Sequence, residues 1–392
     1  MRNLIIAIVI ACCSNGFAET EPPVSAASAI IMDAQTGKIF WSKDAEKERF
    51  PASTTKIMTA LLLLEHSKPN EIIKAPSVEM VVDGASLHVK PNEQFTAVNL
   101  LKAILLRSAN DACELAANHV SGSIPNFVKL MNQRALELGC TNTNFDNPHG
   151  LPDAKHTTSA HDLALIAREV LRRPEIREIV KNRKLTIERS INQQDCVMLS
   201  HNRWLDLDPT ADGLKTGFTK DAGHCYVGSA TRKGYRLITV ILNSPNWCED
   251  QKALLDWGFA RYDRSVGAKA GVFEARVPIA GANQTQVRGR LKESIIFFER
   301  PDFPKPEVIV EPNQGLAAPL KKGDIIGYAV YRDADGWEQR QPLVTTEALT
   351  APFGSSGQNL GSVIFGGVLG AGAYIMRRKV RTIVPNAQRV EN

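Results

Sequence analysis

Three short polar fragments in this chain carry side chains suited to acyl-transfer chemistry. The first, Ser53-x-x-Lys56, heads the apolar run Ile57–Leu64, which contains no Gly or Pro. In a helix starting there the hydroxyl and the amine share one face, a turn apart. A serine hydroxyl is a weak nucleophile that needs a base beside it. A lysine amine serves as that base once burial and neighbouring cations lower its pKa. The second fragment, Ser108-Ala109-Asn110, sits in a polar break between two apolar runs, and the third, Lys215-Thr216-Gly217, precedes two β-prone segments. Taken singly, each fragment also has a plain structural reading. Ser53 is then a helix N-cap with Lys56 in solvent, and Ser108 or Asn110 caps a helix–loop–helix connection.

Taken together, they supply what acyl transfer from a peptide requires: a nucleophile, a base, a proton donor for the leaving amine and an oxyanion hole. Ser53 Oγ is the expected nucleophile and Lys56 its base. Ser108 is expected to relay a proton to the leaving group, and Asn110 to hold Lys56 and the substrate amide. Lys215 and Thr216 offer a cation and a hydroxyl to a substrate carboxylate, while Gly217 lets the substrate backbone approach closely. The backbone N–H groups of Ser53 and Phe218 are the natural oxyanion donors. His149 is the histidine most tempting as a base. It stands in a loop-like stretch rich in Asn, Pro, Gly and Thr, with no partner carboxylate evident, and reads as a turn residue.

The elements that must position these groups are legible in outline. Ser28 to Lys43 predicts a β-hairpin with turn chemistry at Asp33-Ala34-Gln35-Thr36-Gly37. Helices are predicted over Asn99 to Val120, with the polar break inside, over Ile124 to Leu138 ending at Gly139, and over Ala160 to Arg173. Val197 to Trp204 reads as β-like. Strands at Cys225 to Thr231 and Arg236 to Asn243 are joined by a turn at Arg232-Lys233-Gly234, and a helix covers Glu249 to Tyr262. Strands at both ends and helices in the middle predict an α+β catalytic domain, residues 19–268, with an antiparallel sheet packed by helices. From 272 to 346, short β-prone segments separated by Pro and Gly predict a small all-β domain, followed by a Pro/Gly/Ser-rich linker to residue 359.

Composition limits the function classes. With 43% hydrophobic and 23% charged residues the chain is an ordinary globular one. A net charge of +5 is too mild and too evenly spread to argue for nucleic acid. Residues 1–18 read as an export signal: Arg2, the apolar run Leu4 to Cys13, then Gly16-Phe17-Ala18. Val9-Ile10-Ala11-Cys12 is the alternative, a lipoprotein signal that would leave Cys12 lipidated. Of the five cysteines beyond this segment, an odd number leaves at least one unpaired, and most read as buried free thiols. There is no C-x-x-C and no H-E-x-x-H, so neither a metal nor another cofactor is expected. Residues 360–376 form a 17-residue stretch without a charge, about 26 Å long as a helix, which predicts a membrane anchor. The basic tail 377–392 then lies on the cytoplasmic side, with the body outside. Gly366 and Gly370 form a G-x-x-x-G that either pairs helices or stands there by chance.

The S-x-x-K, S-x-N and K-T-G fragments, in this order, are the known signature of penicillin-binding proteins and class A β-lactamases. The chain also resembles the low-molecular-mass penicillin-binding proteins of the D-alanyl-D-alanine carboxypeptidase type over nearly its whole exported length. The resemblance is carried by Ile31-Met32-Asp33, Thr36-Gly37, Pro51 to Ala60, Ser108 to Cys113, Asn147-Pro148-His149-Gly150-Leu151 and Asp212 to Gly217. Ala317 to Gly323 with Gln341 to Val344 resembles the family's C-terminal β-domain. It implies a fold of the serine β-lactamase and penicillin-binding-protein type, and a bacterial enzyme on the outer face of the cell membrane. The implied reaction is removal of the terminal D-alanine from peptidoglycan stem peptides ending in D-Ala-D-Ala, through a Ser53 acyl-enzyme that β-lactam antibiotics also form. Two positions depart from the pattern: Ala109 replaces a common glycine, and Phe218 stands where some relatives have histidine. The alternatives are a β-lactamase, an endopeptidase acting on cross-links, and a non-catalytic cell-wall binding protein.

Overall fold

The structure, a computed structural model, describes residues 21–300, 307–333 and 335–351. Its centre is a five-stranded antiparallel sheet in the order Ile39–Lys43, Ser28–Asp33, Tyr235–Ser244, Gly223–Arg232, Ala211–Thr219. Side-chain alternation along its strands feeds two cores. Ile30, Met32, Ile238, Val240 and Leu242 enter one, with Leu61, Leu163 and Ile166 from the helices on that face. Ala29, Ile31, Leu237 and Ile241 enter the other, against Leu254, Leu255 and Phe259 of the Trp247–Arg261 helix. A sheet covered on both faces reads as near-continuous apolar runs, and all six residues of Ser28–Asp33 are buried.

The Lys56–His66 helix is buried from Lys56 to Leu63. A helix apolar on every side belongs inside a domain, and each fully buried Leu, Ile or Met contributes roughly 1.5–3 kcal/mol. Its first turn is preceded by a 3₁₀ turn, Ala52–Thr55, which carries Ser53. The chain enters that turn through Ala52 at φ +49°. The expected Asn99–Val120 helix is three pieces: an α-helix at Ala97–Lys102, a π-helical turn at Ala103–Arg107, and an α-helix at Asn110–Ser121. Ser108 ends the π turn in the left-handed region, at φ +62°. The polar break is therefore a change of helix type. Val197 to Trp204 is strand only over Val197–Leu199, because the Asn202 side chain accepts the Trp204 N–H and starts a helical turn.

The β-rich part runs from Asp263 to a bridge between Leu320 and Leu349, beyond both ends of 272–346. Asp263–Ala268 pairs with Ile295–Glu299, and the ring of Phe297 fills the space a side chain at Gly267 would occupy. The five-stranded sheet beside it has the order Glu274–Pro278, Gln286–Leu291, Glu338–Thr345, Ile325–Arg332, Val308–Pro312. Phe40 of the central sheet stacks on Tyr262 at 4.0 Å and meets Phe298 edge-on at 5.0 Å, joining the two parts. Residues 1–18 and the segments 360–376 and 377–392 lie outside the described residues. Among the described residues no helix is long and apolar enough to cross a membrane.

Gly150 seats the Asn147–Leu151 loop under the Ser53 turn. Its φ is +90°, and a Cβ there would meet the Ala52 carbonyl oxygen at 1.9 Å. Gly150→Ala is expected to cost roughly 2–5 kcal/mol from left-handed strain and overpacking. Equilibrium urea unfolding measures this, and a change under about 0.5 kcal/mol would refute the seating.

Candidate active site

Ser53 and Lys56 face one another at the head of the buried helix. Lys56 Nζ stands 3.0 Å from Ser53 Oγ and donates to the His149 carbonyl at 2.6 Å. Thr59 Oγ1, a turn further on, donates to the Pro148 carbonyl. The loop thus grips the helix through two carbonyls, one of which orients the amine. Lys56 has no exposed surface. Burial lowers its pKa from 10.5 to about 8, so a substantial neutral fraction exists near neutral pH. The solvent-exposed reading of Lys56 is excluded.

The Ala211–Thr219 strand forms the opposite wall. A Cβ at Gly217 would lie 2.8 Å from Ser53 N, so only glycine brings the strand this close to the nucleophile's backbone. Lys215 is buried behind it, with Nζ donating to the Thr216 carbonyl at 2.8 Å. Burial first, and the Lys56 charge second, lower Lys215 to about 7. The Phe218 ring is exposed and tilts against His224, with centroids 4.6 Å apart. Ser53, Ser108, Asn110, Lys215, Thr216, Gly217 and Phe218 all line one cleft of about 360 Å³, and Lys56 lies beneath its floor.

Ser108 and Asn110 reach the cleft because the π turn ends between them and the preceding helix. Asn110 Nδ2 donates to the Asp83 carbonyl at 2.5 Å, and its backbone N–H to Ala85 at 2.7 Å. Among the described hydrogen bonds Asn110 therefore holds the 83–89 loop, and the His149 carbonyl takes the place expected of it on Lys56. Asp111 secures the same loop: its carboxylate accepts from the N–H groups of Leu87 and Val89 and from the Ser86 hydroxyl. A fully buried Arg189–Glu93 pair at 2.8 Å ties the loop's far end to the segment carrying Arg189.

Several contributors escape sequence reasoning. His156 is buried; its Nδ1 accepts from Asp146 N, and its Nε2 lies 2.8 Å from Thr55 Oγ1, which donates to the Ala52 carbonyl. With Nδ1 an acceptor, the proton sits on Nε2 and the ring is neutral. Burial lowers its pKa to about 4. No sequence signal links Thr55 to a histidine so far along the chain. His149 stands in the loop, but Glu114 Oε1 lies 3.6 Å from its Nε2, a partner carboxylate not evident in the sequence, and its backbone carbonyl serves Lys56. His201, Arg203 and Trp247 add to the cleft wall. All five cysteines in the described residues are free. Cys113, near Asn110, is fully buried, and burial raises its thiol to about 12, so it is unreactive.

A serine and a buried lysine at a helix head, facing a Lys-Thr-Gly strand across a cleft, define a serine acyl-transfer enzyme of the penicillin-recognising type. The structure is similar to penicillin-binding protein 5 from Haemophilus influenzae, with TM-score 0.73 and 28% identity, covering 84% of this chain and 99% of that one. The sequence is 31% identical to D-alanyl-D-alanine carboxypeptidase DacA of Haemophilus influenzae, covering 81% of this chain and 83% of the relative. It is likewise 31% identical to DacC of Escherichia coli, over 83% of this chain and 84% of the relative. The peptidase S11 model, D-alanyl-D-alanine carboxypeptidase, matches residues 15–246. The chain belongs to this family, and it is a serine-type D-Ala-D-Ala carboxypeptidase.

Two buried lysines with lowered pKa values shape the pH response. If Lys56 takes the Ser53 proton, that step needs Lys56 neutral, a fraction that rises through pH 8. If Lys215 binds a free substrate carboxylate, that needs it charged, a fraction that falls through pH 7. kcat/KM for a peptide substrate is therefore expected to be bell-shaped with its maximum between the two values. kcat should keep only the rising limb, because bound carboxylate holds Lys215 charged. Lys56→Arg, which cannot lose its proton, should slow acylation about 10²–10⁴-fold. A flat kcat profile between pH 6 and 9 would overturn the assignment of Lys56 as base.

Proposed function

We propose that the enzyme removes the terminal D-alanine from peptidoglycan stem peptides through an acyl-enzyme on Ser53. The observation that carries this reading is the Lys56 amine, fully buried, 3.0 Å from Ser53 Oγ, and lowered to about 8. Neutral Lys56 takes the hydroxyl proton as Ser53 attacks the carbonyl of the penultimate residue. The developing oxyanion is received by the N–H groups of Ser53 and Phe218, a role supported by the close approach of Gly217 to Ser53 N. Ser108 passes a proton to the leaving amine. Asn110 lies at the cleft edge where it can meet the substrate amide, and Lys215 with Thr216 binds the terminal carboxylate. Water then hydrolyses the ester, and β-lactams acylate the same oxygen.

The chain is exported by residues 1–18 and held at the outer face of the cell membrane by residues 360–376. This reading is supported by the charge-free segment and by the basic residues that follow it. The membrane-bound position brings the cleft to newly made wall.

Release of D-alanine from a peptide ending in D-Ala-D-Ala, by the full-length protein and by Ser53→Ala, tests the chemistry. Wild type is expected to release it, and the variant to lose at least about 10³-fold together with labelling by a fluorescent penicillin. Penicillin labelling without release moves the substrate to cross-linked peptides. Penicillin uptake that persists in Ser53→Ala refutes the nucleophile.

A further inference from the structure

A second cleft, of about 270 Å³, opens at the other end of the central sheet. Gly217, Cys225 and Leu242 mark the Ser53 end of the strands, whereas Asp33, Tyr235 and Arg236 lie at the opposite end. This cleft shares no residue with the active site. Five arginines line it, brought together from four places in the chain: Arg168 and Arg172, Arg177, Arg236 and Arg264.

Their charges are unevenly matched. Arg172 pairs with Glu169 at 3.2 Å and Arg236 with Asp212 at 2.8 Å. The other three have no carboxylate ion pair among the described residues. Arg168 donates to the Ala34 and Gln35 carbonyls at 3.3 and 2.9 Å, Arg177 to the Leu171 carbonyl at 2.7 Å, and Arg264 to the Gln35 side-chain oxygen. Two polar atoms in the same cleft are buried and unpartnered: Arg264 Nε and Asp33 Oδ2. Burial raises the Asp33 carboxyl pKa, against the hydrogen bonds its other oxygen accepts from Gln35 and Thr36 and the charge of Arg264. Burial and the neighbouring Arg172 charge depress Arg168. Crowded cations with a vacant donor, Arg264 Nε, are relieved by an anion.

We propose that this cleft, centred on Arg168, Arg177 and Arg264, binds a phosphate group as a monoester or diester. A planar carboxylate is satisfied by one guanidinium fork. Here three guanidinium groups approach from separate elements, a set that suits the several oxygens of a tetrahedral anion. The phosphate belongs either to a lipid headgroup or to a soluble ester, and both present the same chemistry to the arginines. The site is independent of the Ser53 reaction.

The test titrates the full-length protein with inorganic phosphate at constant ionic strength, chloride making up the balance, followed by calorimetry and phosphorus NMR. Saturable binding of one phosphate per chain is expected. Arg168→Gln combined with Arg264→Gln should weaken it at least tenfold, while D-alanine release stays unchanged. Arg177→Gln, which disturbs only one backbone contact, should weaken it severalfold and serves where the double variant does not fold. No saturable binding by wild type, or undiminished binding by the variants, overturns the proposal. Vesicles of phosphatidylglycerol and of phosphatidylcholine separate the sources. Phosphatidylglycerol binding that falls in the variants and is competed by inorganic phosphate assigns a lipid headgroup. Vesicle binding equal in wild type and variants, with phosphate affinity lost, assigns a soluble phosphate ester.

Discussion

The structure depends on keeping an amine dry beside a hydroxyl. A lysine with no exposed surface whose pKa falls from 10.5 to about 8 reports a penalty on its charged form on the order of 3 kcal/mol. That penalty is useful only if the amine is held in place. Lys56 spends its hydrogen bonds on Ser53 Oγ and on a backbone carbonyl, that of His149. A neutral acceptor positions the amine without offering the negative charge that would hold its proton on. A carboxylate in the same place would raise the pKa again and hold the proton on the amine.

The surroundings can be read as consequences of that requirement. The His149 carbonyl must be brought beneath the Ser53 turn, so the loop carrying it closes on the helix with no space for a side chain at Gly150. The turn itself is strained at Ala52 and tied down by the chain Ala52 carbonyl, Thr55 hydroxyl, His156 ring. His156 suits this post because burial keeps it neutral across the physiological range, so the tie adds no charge near Lys56. Opposite, the π turn before Ser108 swings two polar side chains into the cleft, and Asp111 with the Arg189–Glu93 pair fixes the loop beside them. A buried ion pair contributes little net stability against apolar packing. Here Arg189 donates to oxygens of four residues, Leu87, His88, Glu93 and Asp195, which makes it a joint between loops.

The second cationic cleft follows another logic. Lys56 and Lys215 have neutral hydrogen-bond partners only, and burial lowers the pKa of both. The arginines at the far end of the sheet keep their protons, which suits the anion site proposed for that cleft.

Much of the site was legible in the chain because its chemistry is local. Ser53 and Lys56 are one turn apart, Ser108 and Asn110 flank a break, and Lys215, Thr216 and Gly217 are consecutive, so residue type and helical or strand period place each set. The sheet strands and the main helices follow from apolar periodicity for the same reason. What only the tertiary structure decided is how distant segments meet: the His149 carbonyl on Lys56, His156 under Thr55, Asn110 turned to the 83–89 loop, Arg264 brought beside Arg168. Backbone carbonyls and neutral rings leave no mark in composition or spacing. Their roles arise from burial, and burial is a property of the packed chain.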